Sequence, residues 1–272
     1  MRENIIQSRQ NPLVKHVVKL WEARSRKKHG QFLLEGCREL QCAINNAIAI
    51  EQLLYCPDLF SSEACPLLVE KAKNSNKITA TEVTKDVFEK MSYREGPDGL
   101  LAIAKQEYKG LDAIKLSEKP LLLVAEGIEK PGNLGALIRT AEAVGCDALI
   151  LTNSAIDLYN PNVIRSSQGL VFSLPVITTE NESANRFLTE HGIQALATTP
   201  HCDTPYWEKD YNKASAIMIG SEKDGLSDFW LKSEHAEPIT IPHSGQADSL
   251  NAGIAAAVVL FEVQRQRNLR AH

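Results

Sequence analysis

The sequence has no apolar run long enough to cross a membrane. Its longest uninterrupted apolar stretch extends from Ala252 to Phe261, whereas a spanning helix needs about 18 apolar residues. The first four residues, Met1-Arg2-Glu3-Asn4, lead into no apolar signal-peptide core. We therefore expect a soluble protein that stays in the cytoplasm and does not contact a membrane.

Patterns for metal binding are lacking as well. The six cysteines contain no C-x-x-C pair, and no nearby His or Cys completes a zinc-like spacing. They lie among apolar neighbours, which is typical of small buried residues in a reducing compartment. We expect no metal site, and a catalytic cysteine is disfavoured because no base accompanies any of them.

Two nucleotide-binding fingerprints are missing from a segment whose pattern suggests them. Residues 126–141 follow an apolar run and open a helical pattern. However, Gly127, Gly132 and Gly135 do not make G-x-G-x-x-G, and a Walker Lys-Ser/Thr pair is absent. A nucleotide-dependent oxidoreductase is therefore a weak alternative. The chain also has no internal repeat and no low-complexity tract.

The chain lacks an overall positive charge. Its 272 residues include 30 Lys+Arg and 34 Asp+Glu, for a formal net charge of −4, which by itself disfavours a nucleic-acid partner. The charge is unevenly distributed, because residues 1–30 hold eight basic and two acidic side chains, a local charge of +6. This asymmetry indicates either a solvated helix face or a polyanion-binding segment. The basic side chains are Arg2, Arg9, Lys15, Lys19, Arg24, Arg26, Lys27 and Lys28.

The hydrophobic pattern divides the chain into two α/β domains. Apolar residues at helical spacing predict one amphipathic basic helix over Asn11 to Lys28. Short helices and strands alternate from there to residue 104, which indicates a small α/β sandwich. A polar stretch follows and ends at Pro120. We predict a first domain over 1–105, a linker over 106–119 and a second domain over 120–272.

The second domain has the pattern of a parallel sheet covered on both faces. Apolar runs recur between helical segments, as expected for buried parallel strands. A last helix from about Asp248 to Arg267 is apolar on most sides, which predicts burial inside the domain or against another subunit. The six runs are Leu121–Ala125, Ala148–Leu151, Leu174–Ile177, Ile193–Ala197, Ala216–Ile219 and Pro238–Ile241.

Polar and glycine residues follow three of these strands, at residues 126–139, 218–227 and 241–251. Ligands of open α/β sheets bind at the carboxyl ends of strands. Each segment alone has a structural explanation. Arg139 could pair with a carboxylate, Gly225 could belong to a plain strand-to-helix turn, and Asp248 or Ser249 could cap the last helix.

Together, however, the three segments resemble a known family. The ordered motifs are N-x-G-x-x-x-R, G-x-E-x-x-G-L-S and I-P-x-x-G-x-x-x-S-L-N, followed by an apolar helix. Over roughly residues 120–267 the chain resembles the SpoU (TrmH-type) RNA 2′-O-methyltransferases of the SPOUT superfamily. The first domain is similar to the ribosomal-protein-L30e-like RNA-binding extension of two-domain members, on Asn11-Pro12, Glu35-Gly36 and the strand that follows Gly99.

The resemblance implies a fold and a cofactor. The expected fold is α/β, with a C-terminal parallel-sheet domain that contains a deep trefoil knot and a smaller L30e-like α/β domain before it. The expected cofactor is S-adenosylmethionine, bound bent, with its adenine in a slot lined by Gly220, Ile241 and Leu250. Glycine would allow close approach of the backbone, and the aliphatic side chains would cover the ring faces.

It also implies catalytic residues. Arg139 matches the family's main catalytic arginine, and we favour positioning and charge stabilisation because a guanidinium loses its proton only above pH 12 or so. Asn133, Ser249 and Asn251 would hydrogen-bond the arginine, the ribose or the cofactor carboxylate. Glu222 would brace its loop by accepting backbone N–H bonds.

Partners follow from the same resemblance. Family members are homodimers, and this chain is similar to antibiotic-resistance members that methylate 23S ribosomal RNA. A tRNA 2′-O-methyltransferase and a non-catalytic RNA-binding protein remain alternatives. We expect the RNA-binding residues to be basic side chains of the N-terminal segment: Arg9, Lys15, Lys19, Arg24, Arg26, Lys27 and Lys28.

Three positions depart from the family pattern. His243 stands where the family often has Met, and we expect it to be a contact or structural residue rather than a base. Cys146 occupies a position where a β-branched residue is common. Asp98 replaces a polar uncharged residue of related extensions.

Overall fold

The computed structural model describes residues 5–245 and 249–268, which form two compact units. Unit 1 comprises residues 5–107 and Asp157–Ser173, and unit 2 comprises Tyr108–Ile156 with the rest of the described chain from Leu174. The segment Asp157–Ser173 thus packs with unit 1 although it lies between strands of unit 2 in sequence. The expected division into an RNA-binding domain, a linker and a methyltransferase domain stays a prediction.

Unit 1 is built on a four-stranded sheet in the order β1-β4-β2-β3. Strand β4 pairs antiparallel with β1 and β2, while β2 and β3 are parallel. Its core includes Val14, Val17, Leu33, Phe88 and Leu101. The elements are α1 (Pro12–Leu20), α2 (Ala23–His29), β1 (Gln31–Glu35), α3 (Cys37–Asn45), β2 (Ile50–Tyr55), α4 (Ala64–Lys73), β3 (Thr79–Glu82), α5 (Lys85–Met91), β4 (Leu100–Lys105) and, in the second segment, α7 (Pro161–Ser166).

The basic N-terminal segment forms two helices, whereas the sequence predicted one. Helix α1 begins at an Asn-Pro pair, where the Asn11 side chain accepts a hydrogen bond from the Leu13 N–H at 2.8 Å. It ends at Leu20 because the Arg26 guanidinium donates hydrogen bonds to the backbone carbonyl oxygens of Leu20 and Trp21, at 3.1 and 2.7 Å. These contacts bend the chain between α1 and α2.

Unit 2 contains the predicted parallel sheet, and all six apolar runs form its strands. The order is β10-β8-β9-β5-β6-β7, and each neighbouring pair is parallel. The inner strands are buried along their length, which explains why their sequences are continuously apolar rather than alternating. The strands are β5 (Leu121–Glu126), β6 (Ala148–Thr152), β7 (Val176–Thr179), β8 (Gln194–Thr198), β9 (Ser215–Ile219) and β10 (Ala236–Ile239).

The helices of unit 2 are α6 (Pro131–Ala143), α8 (Asn181–Glu190), α9 (Asp228–Leu231) and α10 (Ala252–Asn268). Helix α10 packs against α6 and β9 and buries Ala256, Val259 and Leu260. Its Ile254 and Phe261 side chains are exposed, at 55% and 57%. The predicted first residue of this helix, Asp248, lies outside the described residues.

Part of the expected linker over 106–119 packs into unit 2. Ile114 belongs to the core of unit 2, and Leu111 and Leu116 pack against that core. Within the described ranges, no helix is long and apolar enough to cross a membrane.

Candidate functional site

The three motif loops follow β5, β9 and β10 at the carboxyl edge of the parallel sheet. This is the edge at which open α/β sheets bind ligands. The loops after β9 and β10, with the end of β8 and the start of α10, enclose a pocket of about 620 Å³ including its open mouth. The pocket is lined by Thr198, Thr199, Pro200, Ile219, Gly220, Ser221, Glu222, Gly225, Thr240, Ile241, His243, Ser249, Leu250, Ala252 and Ala255.

All three residues predicted to bind the cofactor, Gly220, Ile241 and Leu250, line this pocket. The requirement for glycine at position 220 has a cause that the sequence did not indicate. A Cβ there would lie 2.0 Å from the carbonyl carbon of Gly225 and 2.2 Å from the Leu226 nitrogen. The loop folds back on itself, since Ser221 and Gly225 exchange two backbone hydrogen bonds of 3.2 and 3.0 Å. Only glycine allows this close approach.

The pocket suits a nucleoside-like cofactor in its chemistry. Ile219, Ile241 and Leu250 offer apolar surface for a ring, while Thr199 and Ser249 offer hydroxyl groups. This donor set fits S-adenosylmethionine, whose adenine is apolar on its faces and whose ribose and amino-acid groups are polar.

A second cleft, of about 900 Å³, lies between the loops after β5 and β9. It shares Ser221, Glu222 and Gly225 with the first pocket. Its other lining residues include Glu126, Lys130, Asn133 and Ser227. The loop 220–227 therefore separates the two cavities and contributes side chains to both.

Glu222 joins the three motifs through side-chain hydrogen bonds. Its carboxylate accepts a bond of 2.8 Å from Lys130 Nζ and another from Asn251 Nδ2. The same Asn251 amide contacts Asn133 Oδ1 at 3.2 Å. We expected backbone N–H donors for Glu222, and the structure gives it the side-chain donors of Lys130 and Asn251 instead. The hydrogen bond from Lys130 is the main cause that lowers the pKa of Glu222, and the same contact raises the pKa of Lys130.

Asn251 also caps helix α10. Its Oδ1 accepts hydrogen bonds from the N–H groups of Gly253 and Ile254, at 3.0 and 3.4 Å. Asn251 therefore provides the N-cap that the sequence suggested for Asp248 or Ser249. One side chain thus fixes the start of α10 and holds Glu222.

Arg139 is not in contact with this network. It lies on α6, six residues after Asn133, and is exposed. It makes no hydrogen bond or ion pair with any residue that the structure describes, and it does not line the pocket. Ser249 does line it. The structure thus brings Asn133, Glu222, Ser249 and Asn251 together and leaves the Arg139 side chain in solvent.

Several residues of the site were missed by the sequence analysis. Thr198, Thr199 and Pro200 follow β8 and line the pocket, and Thr198 Oγ1 donates to the Met218 carbonyl at 2.7 Å. The position of β8 at the same carboxyl edge was the available signal. The sequence did not indicate a role for Lys130, because its partner Glu222 is distant along the chain.

Two departures from the family pattern have a structural description. His243 lines the pocket, and its Nδ1 lies 3.2 Å from the Ile241 carbonyl. Cys146 is buried, and burial raises the pKa of its thiol to about 12, which keeps the thiol neutral.

In unit 1, the basic segment forms a groove between α1 and α2. Lys15, Lys19, Arg24 and Lys28 line it, and all four are exposed. Lys27 is also exposed but is not part of the lining. The remaining lining residues are Pro12, His16, Glu22, Ser25 and His29. This groove can attract phosphate groups, since its basic side chains outnumber its single carboxylate.

Arg26 is a correction to the predicted RNA-binding set. Its side chain is 3% exposed, and its guanidinium donates to Asp157 Oδ2 at 2.6 and 3.0 Å as well as to two backbone carbonyls. The Arg26 guanidinium therefore has its partners inside unit 1 and is not available to RNA. Arg9 is half-exposed and forms a two-point ion pair with Asp86. That surface pair is weak enough to be exchanged for another anion.

Fold and site define a class: an α/β protein that binds S-adenosylmethionine in loops at the carboxyl edge of a parallel sheet. A family model described as the SpoU rRNA methylase family matches residues 120–261, and a model of the MRM3-like substrate binding domain matches residues 11–102. A curated relative, the 23S rRNA (uridine(2479)-2'-O)-methyltransferase of Streptomyces viridochromogenes, is 30% identical over 91% of this chain and 88% of its own length.

Solved structures agree. A crystal structure of an RNA 2'-O ribose methyltransferase is 36% identical, covers 97% of this chain and 99% of its own and has a TM-score of 0.83. The AdoMet-bound rRNA methyltransferase from Sinorhizobium meliloti is 29% identical, covers 96% and 97%, and has a TM-score of 0.85. This chain belongs to the SpoU rRNA methylase family, and it is an RNA methyltransferase that uses S-adenosylmethionine. The predicted α/β fold class, enzyme class and cofactor are confirmed.

Proposed function

We propose that this protein transfers a methyl group from S-adenosylmethionine to a ribose 2′-hydroxyl of 23S ribosomal RNA. The proposal rests on two motif loops that line one pocket, where Asn251 hydrogen-bonds Glu222 and also Asn133 of the third motif. The choice of RNA is supported by the Streptomyces relative, which is named for 23S rRNA and matches this chain over nearly its whole length.

The residues of the site have separate roles in methyl transfer. When bound, S-adenosylmethionine would supply an electrophilic methyl group for the ribose 2′-oxygen. Ile241 and Leu250 would hold its adenine, and Gly220 allows the close approach of the loop backbone on which the pocket depends. The exposed guanidinium of Arg139 is free to bind a phosphate beside the reacting ribose and to stabilise the developing oxyanion.

Asn133, Ser249, Asn251 and Glu222 keep the reacting groups aligned. Alignment matters because a methyl group transfers along one line of approach, and small misplacement is costly. Glu222 acts here as an ionised acceptor that fixes the amide of Asn251. Ser249 offers a hydroxyl group to the cofactor or the ribose.

We also infer that the protein is a homodimer in the cytoplasm. The exposed Ile254 and Phe261 lie seven residues apart on α10, and therefore on the same face of the helix. An apolar stripe of this kind is suited to contact with a second copy, with the same surface on both subunits.

Mapping of 2′-O-methyl groups tests the proposed function. Purified protein and S-adenosylmethionine are incubated separately with unmodified 23S ribosomal RNA and with unmodified tRNA. We expect one new 2′-O-methyl position in 23S RNA and none in tRNA. Methylation of tRNA alone would favour the alternative substrate. RNA binding without methylation of either would favour a non-catalytic role.

A further inference from the structure

Glu126 is a buried carboxylate whose role the sequence motifs did not indicate. It is the last residue of β5 and is only 4% exposed. Its Oε1 accepts hydrogen bonds from Asn153 Nδ2 at 2.9 Å, Asn181 Nδ2 at 2.6 Å and Ser227 Oγ at 2.8 Å. Its Oε2 accepts the backbone N–H of Ser227 at 2.7 Å. Both oxygens are therefore satisfied.

The donors come from separate parts of unit 2. Asn153 follows β6, Asn181 begins α8, and Ser227 is the N-cap of α9. No basic side chain of residues 5–245 or 249–268 forms an ion pair with Glu126, so neutral donors alone compensate its burial. A buried carboxylate with so many bonds is costly to disturb, since each lost partner leaves a polar atom without water.

The donor geometry is itself fixed. Asn181 is buried, and its Oδ1 accepts the indole N–H of Trp230 at 3.0 Å. Trp230 is fully buried in the core of unit 2. The Asn181 amide is thereby locked with its nitrogen towards Glu126. The network thus links the carboxylate to the rigid part of the unit.

Glu126 also lies at the ends of two functional loops. The loop 127–130 begins directly after it and carries Lys130, while the loop 220–227 ends at Ser227, which gives it two hydrogen bonds. At their other contact the loops are joined by the bond from Lys130 to Glu222. The loop 220–227 lines the cofactor pocket through Gly220, Ser221, Glu222 and Gly225.

We propose that Glu126 is a positioning residue for cofactor binding, which acts by holding the loops 127–130 and 220–227 in the geometry that forms the pocket. This role rests on the proposed function of that pocket. Glu126 takes no part in the chemistry of methyl transfer; it acts through Ser227 and the loop that ends there. Its loss should therefore weaken cofactor affinity more than it weakens the fold.

Glu126→Gln is the principal test, and Glu35→Gln is its matched control. Glu35 is a buried carboxylate at the end of β1 in unit 1, 7% exposed, and it accepts bonds from Ser92 Oγ and the Tyr93 N–H. In Glu126→Gln an amide NH₂ group replaces one carboxylate oxygen. This group cannot accept the hydrogen bonds that the surrounding donors offer. We expect the Kd for S-adenosylmethionine, measured by calorimetry, to rise about tenfold, equivalent to ~1.4 kcal/mol. We expect Glu35→Gln to change this Kd less than twofold.

Hydrogen exchange of the protein without cofactor gives a second readout. The amides of residues 221–227 should exchange faster in Glu126→Gln than in the wild type, and at unchanged rates in Glu35→Gln. RNA affinity should stay the same, because the basic groove belongs to unit 1. Unchanged exchange in this loop would overturn the proposal. Because exchange is measured without cofactor, failure of the wild type to bind S-adenosylmethionine would contradict only the proposed function.

Ser227→Ala keeps the test decisive if Glu126→Gln does not fold. It removes the 2.8 Å hydroxyl bond but leaves the backbone bond to Glu126. We expect a two- to threefold rise in the cofactor Kd and faster exchange confined to the same loop. An unchanged Kd together with unchanged exchange would again contradict a positioning role.

Discussion

The basic groove of unit 1 and the motif loops of unit 2 hold their polar side chains in opposite ways. Lys15, Lys19, Arg24 and Lys28 are exposed and make no ion pair with the described residues, whereas Glu126 and Glu222 accept several hydrogen bonds each. A flexible polyanion can be bound by exposed Lys and Arg side chains that neutralise its phosphates. A small cofactor requires groups that are already in place. The contrast indicates a charge-dominated surface in unit 1 and a geometry-dominated site in unit 2.

The two units also use arginine differently. Arg26 is buried in unit 1 and pairs with Asp157, while Arg139 in unit 2 is exposed and without a partner among the described residues. A paired, buried guanidinium stabilises a fold, and a free one is available to a ligand. Local sequence does not indicate this difference, since the buried Arg26 is flanked by Ser25 and Lys27 whereas the exposed Arg139 follows Leu137 and Ile138.

The largest expected effect tests the free arginine. Arg139→Ala should lower the rate of RNA methylation about 10²–10³-fold, the usual cost of removing a group that stabilises transition-state charge. Melting temperature and the Kd for S-adenosylmethionine should stay near those of the wild type. Arg186→Ala, at another exposed helical arginine of unit 2, is the control and should retain full activity. Full methylation by Arg139→Ala would remove this residue from the catalytic set.

The next effect tests the buried arginine. Arg26→Ala should destabilise unit 1 by about 2–3 kcal/mol, below the full cost of breaking a buried pair because Asp157 is 25% exposed. Thermal unfolding measures this change, and Arg24→Ala should leave unfolding unchanged while it weakens RNA binding. Equal stability of the two variants would show that the ion pair contributes nothing to the fold.

A smaller effect concerns the groove. Replacing Lys15, Lys19, Arg24 and Lys28 together by Gln should reduce the slope of log K against log salt for RNA binding by about 3, since each phosphate contact accounts for roughly 0.7–0.9. Filter binding to 23S RNA at several salt concentrations gives the slope. Point changes are preferable to deletion of residues 1–30, because that segment contributes Val14, Val17 and Leu20 to the core. An unchanged slope would place the RNA elsewhere.

The smallest effect is the pH response of Glu222. Its pKa is lowered mainly by the hydrogen bond from Lys130, so its ionised form stabilises the folded protein above the ordinary Glu pKa of about 4.3. This contribution is lost as pH falls through the lowered pKa of the folded state. The difference in melting temperature between the wild type and Glu222→Gln should be small and should shrink below about pH 4. A difference that grows as pH falls would contradict the assigned sign.

Much of unit 2 could be predicted from its sequence. The six apolar runs coincide with the six strands to within about two residues, because burial on both faces requires continuous apolar sequence. The family resemblance implied that Gly220, Ile241 and Leu250 line one pocket, and the structure brings them together because parallel strands have their carboxyl ends at one edge.

Other features could not be predicted, because they depend on contacts between distant residues. The break between α1 and α2 depends on Arg26, whose ion-pair partner Asp157 is 131 residues away. The role of Lys130 and the hydrogen-bond partner of Asn251 depend on contact with Glu222, which is distant from Lys130 along the chain. Helical periodicity and capping preference describe neighbours a few residues apart and contain no information about such pairs.

The sequence by itself determined the two-part α/β organisation, the family and three of the residues that line the cofactor pocket, since these depend on local pattern and motif order. Tertiary structure alone decided which charged groups are available to bind a ligand. It buried Arg26, left Arg139 free and surrounded Glu126 with donors from three separate elements. The physical reason is that the state of a charge depends on its solvent and its partners, and folding assigns both.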